Sequence, residues 1–221
     1  MELLVATLAH TTPGRDADVL ARIRLISDTV RNASGLVTSR FYRGRGDAAH
    51  YFMLTTWEDE ESWRRAQERH NPKHLLLASS DLLTAFPEQW FMYYLWGYNR
   101  PAAIPMLTAA HLATIHPEQI EFVQRGWTMG LRRLAVQPML ASAFLARGSN
   151  EDPAATAGPD APETPRPGED TSQHRGTIML NLLNWTSDSE REEFYADPDY
   201  QAIHKFVSSV GVVRILSLEP M

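Results

Sequence analysis

The alternation of apolar and polar positions divides the chain into short β-type runs and longer runs of helical period. Leu3 to His10 is a first strand, followed by the turn residues Thr11-Thr12-Pro13-Gly14. From Asp16 the apolar positions Val19, Ile23, Ile26 and Val30 recur at helical spacing, and Gly35 stops the run. Leu36 to Arg43 and Ala49 to Trp57 read as two strands, joined through the glycines of Gly44-Arg45-Gly46-Asp47. A helical segment from Asp59 to His70 is broken at Asn71-Pro72, because proline lacks an N–H and clashes with the preceding turn. A second piece from Lys73 to Phe86 and a strand from Gln89 to Tyr98 complete a β-α-β-β-α-β order, the split ferredoxin-like unit.

After the hinge Asn99-Arg100-Pro101 the pattern restarts. A strand from Ile104 to Ala113 leads to His116-Pro117-Glu118-Gln119, with proline in a first helical turn, and Ile120, Val123, Trp127, Leu131 and Leu134 form one helical face. Strands Met139 to Arg147 and Thr177 to Trp185, a helix from Ser187 broken at Asp197-Pro198, and a strand from Val212 to Leu218 follow. The stretch Leu54 to Trp63, in which an apolar strand ends on Trp57 and runs into an acidic helix start, recurs around Trp185. Thr7-Leu8-Ala9-His10 likewise aligns with Thr108-Ala109-Ala110-His111. The chain reads as a tandem duplication, with units at 1–100 and 101–221. The segment 148–175 stands apart: it holds five prolines, six acidic residues and no large apolar residue, which predicts a disordered hairpin insertion.

Composition narrows the function. Hydrophobic content of 43% with 22% charged residues is globular, and no apolar run approaches the roughly 20 residues of a membrane helix. No signal peptide is evident at the N-terminus, and the absence of Cys fits a reducing compartment, so a cytoplasmic location is expected. A net charge of −6 without a basic stripe argues against nucleic acid. A metal would have to use His and carboxylates; His70 and His74 have i,i+4 spacing, but Pro72 spoils the helix between them, so no metal is expected.

The strand end Leu54-Thr55-Thr56-Trp57, its acidic helix start and the segment Arg69-His70-Asn71-Pro72-Lys73-His74-Leu75 resemble the antibiotic-biosynthesis-monooxygenase (ABM) superfamily. The resemblance spans each half separately. It implies an α+β fold in which two ferredoxin-like β-α-β-β-α-β units form an intrachain dimeric α+β barrel, a pseudo-dimer free to associate further into a homodimer. It also implies monooxygenation of a hydrophobic phenolic or polyketide-like small molecule without an added cofactor. Such chemistry needs an apolar pocket for the ring, a base near neutrality and a wall with a polar handle. The candidates are His10, Trp57 and His74 in the first unit, and His111 and Trp185 in the second.

The segment from Phe194 to Lys205 resembles the helix of heme-degrading ABM members, with Tyr200 and His204 at the positions of an aromatic residue and the heme-ligating His. Those enzymes also carry a Trp and an Asn where this chain has Phe194 and Ala110 or His111. Heme binding through His204 is the alternative reading. A non-catalytic ligand-binding barrel is the third.

Overall fold

The computed structural model describes residues 1–46, 48–149, 151 and 177–221. Most of the insertion expected at 148–175 lies outside the described residues. The first elements are β1 (Leu3–His10), α1 (Asp16–Arg31), β2 (Leu36–Gly44), β3 (His50–Trp57), α2 (Glu60–His70), α3 (Pro72–Leu77) and β4 (Glu88–Asn99). They are followed by β5 (Leu107–Ile115), α4 (Ile120–Leu134), β6 (Ser142–Ser149), β7 (Thr177–Trp185), α5 (Asp188–Ala196), α6 (Pro198–Val210) and β8 (Gly211–Pro220).

The fold class is α+β, with two ferredoxin-like units. One compact unit comprises Met1–Tyr93 and Leu218–Met221, and the other comprises Tyr94–Ser149 and the described part of Ala155–Ser217. The division therefore falls inside β4, where the sequence pattern placed it at the 100/101 hinge. In the first unit β1 pairs antiparallel with β3 and with the beginning of β4, and β2 pairs with β3 and with Leu218–Pro220. In the second unit β7 lies between β5 and β6. The strand order β1-β3-β2-β8-β5-β7-β6-β4 closes on itself, giving the α+β barrel expected of the ABM resemblance.

Local chemistry accounts for the helix boundaries. Asp59 caps α2 by accepting from the Ser62 N–H at 2.7 Å, and Ser187 caps α5 by accepting from the Glu190 N–H at 3.2 Å. Glu190 reaches back to the N–H of Thr186, the residue before the cap, at 2.9 Å, fixing the entry of the chain into the helix. Each proline break is also a cap. Asn71 accepts from the Lys73 N–H at 2.9 Å and Asp197 from the Asp199 N–H at 2.8 Å, so the helices restart as α3 and α6.

The helix expected from Lys73 to Phe86 is shorter than its apolar pattern suggested. It ends at Leu77 and gives way to a 3₁₀ turn at Ser80–Leu82. The reason is tertiary: the Thr84 N–H donates to the His10 carbonyl and the Thr12 N–H to the Leu82 carbonyl, both at 3.0 Å, drawing this segment out along the end of β1. In the first unit, Leu3, Val5 and Ala9 of β1 pack with α1, α2 and β3 residues, and Trp57, Trp63 and Phe91 form one aromatic cluster. In the second, Ala109, Ala113 and Ile115 pack beneath Val123, Trp127 and Leu131 of α4.

Candidate functional site

Register gives the units a common frame. Leu3 stands opposite Trp57, and Leu107 stands opposite Trp185. Counting four residues onward reaches Thr7 opposite Met53 in the first unit, and His111 opposite Asn181 in the second. The match of His10 with His111 drawn from the sequence is thus displaced by three positions; the counterpart of His10 is Thr114. His74 also shifts, since it is third after the cap Asn71, as Tyr200 is third after Asp197.

The first-unit candidates do not assemble. His10 pairs with His50, seven residues along β1 from the Leu3–Trp57 pair, or roughly 23 Å at strand rise. His10 Nε2 lies 3.8 Å from Glu88 at a partly exposed position, and His74 is exposed on α3. Trp57 is fully buried, its Nε1–H donates to Thr55 Oγ1 at 3.0 Å, and its ring meets Trp63 edge-on at 5.3 Å. It is a satisfied core side chain. Where the second unit has His111, the first has a closed polar network. Gln89 Nε2 donates to Thr7 Oγ1 and to Asn71 Oδ1, each at 2.9 Å, and all three side chains are buried. Replacing Gln89 with Leu strands the Thr7 hydroxyl and should cost about 1–3 kcal/mol, read from the urea midpoint.

The second unit brings its candidates together. His111 is buried on the β5 face that packs under α5 and α6, and its Nε2 lies 3.2 Å from Tyr195 Oη, with the rings stacked at 6.1 Å. Tyr200 meets His111 edge-on at 6.1 Å and Tyr195 at 5.0 Å. Half-buried His204 lies 5.9 Å from Tyr200, one helical turn on. Trp185 is fully buried against Phe194 and Tyr195, each at 5.5 Å, so Tyr195 links the tryptophan to the histidine. Aromatic rings thus pack around His111 between β5, β7 and the α5–α6 break.

Two polar atoms in this wall have no hydrogen-bond partner among the described residues: Asn181 Oδ1 and Trp185 Nε1, one acceptor and one donor. They project from the same face of β7, four residues apart. Asn184 provides the contrast. On the opposite face of β7 it accepts from Thr108 Oγ1 at 2.7 Å and donates to Ser142 Oγ at 3.0 Å. Since buried polar groups are nearly always paired, an unmatched donor and acceptor on one strand face are unusual. Neither Asn181 nor Tyr195 stood out in the sequence. Asn181 has a legible signal, a lone amide within the apolar run Ile178 to Leu183, whereas Tyr195 lies in an acidic helix with nothing to distinguish it.

Burial sets the protonation of the site. It pushes the His111 imidazole down to about 3, with nearby His204 adding repulsion, so His111 is neutral at physiological pH. Burial raises the Tyr195 phenol to about 12, against a small opposing effect of Arg191, and raises Tyr200 further with Tyr195 adding to the effect. The site therefore presents neutral donors and acceptors within an aromatic enclosure. No group of His, Cys, Asp and Glu suited to a metal ion occurs among the described residues.

Residues 1–74 match the family model described as antibiotic biosynthesis monooxygenase. No curated protein matches the chain's sequence. Among solved structures, an anthrone oxidase-like protein superimposes with a TM-score of 0.74 at 15% identity, covering 100% of this chain and 91% of that one. A protein from Fusobacterium nucleatum, provisionally named a monooxygenase, gives 0.69 at 5% identity, covering 99% and 92%. A staphylococcal protein described as a major regulator of pathogenesis gives 0.57 at 8% identity over the full length of both chains. These likenesses show a shared fold, which serves proteins described in quite different terms. No helix among the described residues is long and apolar enough to cross a membrane.

Proposed function

We propose that the second unit binds a hydroxylated, carbonyl-bearing aromatic molecule and oxygenates it without an added cofactor. The observation that carries this reading is the complementary orphan pair. The Trp185 N–H is free to donate to a ligand carbonyl, and Asn181 Oδ1 is free to accept from a ligand hydroxyl, within walls made by Trp185, Phe194, Tyr195 and Tyr200. The reaction class is that of an anthrone-type ring: the ligand loses a proton, the resulting carbanion or phenolate supplies electrons to dioxygen, and a ring CH₂ plus O₂ becomes C=O plus H₂O.

In this scheme His111 accepts the ligand proton. Desolvation opposes an isolated imidazolium, but an anion generated beside it supplies the missing counter-charge, so the two charges form together. Tyr195 fixes the imidazole through its contact with Nε2. The first unit, with Met53 opposite Thr7 and its polar network closed, contributes fold and no second oxygenation site, so one oxygenation substrate binds per chain. The test is oxygen uptake with hydroxylated anthrones. Asn181→Leu and Tyr195→Phe should each lower kcat/KM by about 10–100-fold, with His10→Ala unchanged. Equal activity in all three variants would overturn the assignment.

Heme at His204 is the second reading, supported by the placement of that half-buried imidazole against Tyr200. His204 would hold the heme iron through a ring nitrogen, Tyr200 would pack beside it, and the bound iron would supply redox chemistry. A hemin titration decides it: a Soret shift lost in His204→Ala supports heme, and no shift in the parent protein removes it.

A further inference from the structure

A cavity lies wholly within the first unit and shares no residue with the candidate site. It has a volume of about 470 Å³ and is bounded by α1, β2 and residues Glu219–Met221. That is the size range of small-molecule sites. The wall beside Phe41 is held in place because the Met221 N–H donates to the Phe41 carbonyl at 3.0 Å.

Its chemistry is uneven. Leu20, Ile23 and Phe41 contribute apolar surface, and Ile23 and Phe41 are buried. Of the cations on the rim, Arg43 is neutralised by Glu219 at 2.9 Å, and Arg31 lies 3.9 Å from Asp28. Arg24 has no counter-ion among the described residues. Ser27 lines the same cavity at 8% exposure, and its hydroxyl has no hydrogen-bond partner among the described residues. A hydroxyl that no described residue engages, set beside apolar surface with a guanidinium lacking a counter-ion at the edge, is the complement of an amphipathic monoanion.

We infer that this cavity is a binding site for a small aromatic or aliphatic carboxylate, with Arg24 engaging the carboxylate, Ser27 giving a hydrogen bond, and Leu20, Ile23 and Phe41 holding the apolar body. The inference is independent of the oxygenase reading, because no residue is shared between the two sites. It assigns the first unit a ligand of its own.

Isothermal titration of the full chain with naphthalene-2-carboxylate is the test, with naphthalene-2-carboxamide as the uncharged comparison. One binding site is expected, with the carboxylate at least tenfold tighter than the carboxamide. Arg24→Glu should weaken carboxylate binding at least tenfold. Ser27→Leu, which fills the cavity, should abolish it, and His111→Phe in the second unit should leave it unchanged. The inference is overturned if the parent does not bind at millimolar carboxylate, if the carboxamide binds equally, or if Arg24→Glu binds like the parent. Loss of binding in His111→Phe with retention in Arg24→Glu would place the ligand in the second unit instead.

Discussion

Lowering the pH from 7 to 5 is expected to remove about 2 kcal/mol of stability through His111 alone. The folded imidazole is held at about 3 by burial, whereas in the unfolded chain it returns to the ordinary value near 6.5. Between these values the unfolded state binds a proton that the folded state refuses, so stability is complete above pH 6.5 and falls as the pH drops toward 3. Urea midpoints at pH 7, 6 and 5 measure the slope. His111→Gln, which cannot titrate, should flatten it. Parallel slopes for parent and variant would mean that the imidazole is not held neutral by its surroundings. The same property bears on ligand chemistry: a site that excludes an unaccompanied imidazolium takes a proton only from a ligand that leaves its anion alongside.

The two strand-ending tryptophans should respond oppositely to the loss of an N–H. Trp57→Ala removes a fully buried indole packed on Trp63 and should cost about 3–5 kcal/mol, the usual cost of deleting a core aromatic. Trp57→Phe should retain much of the packing but lose the bond to Thr55, for an additional cost of about 1 kcal/mol. Trp185→Phe removes an N–H that no described residue accepts, so its cost should be cavity and shape alone, smaller than that of Trp57→Phe. Its penalty should appear in the ligand, as weaker binding of a carbonyl-bearing aromatic. Thermal unfolding and ligand titration of both Phe variants give the comparison. Equal stability loss with equal ligand affinity would show the two indoles to be equivalent core anchors.

The order of strands and helices was legible because it rests on local period and punctuation: short apolar runs at β1 and β3, helical spacing from Val19 to Val30, prolines at 72 and 198. The limit of α3 was not legible, because it is set by hydrogen bonds from the far end of β1. The division at residues 93 and 94 was hidden for a similar reason, since β4 is one unbroken strand whose two parts fall in different compact units. The pairing of His10 with His111 failed because similar letters were aligned, whereas equivalence is set by the cross-strand partner, Trp57 or Trp185. The candidate site was legible only in its conspicuous members. Asn181 gains meaning from a missing hydrogen bond, and Tyr195 from a stacking contact, and neither property is written in residue order.

The pairing of β2 with Leu218–Pro220 has a consequence for biosynthesis. Arg43 and its partner Glu219 are separated by 176 positions, so the outer margin of β2 has no pairing segment until translation has passed nearly the whole of both halves. During that interval the nascent first half carries an open strand margin, the feature that invites association between chains. Arg40, Arg43 and Arg45 lie on or just beyond that strand. Their like charges oppose contact between two such nascent chains, and Glu219 neutralises Arg43 once its segment arrives.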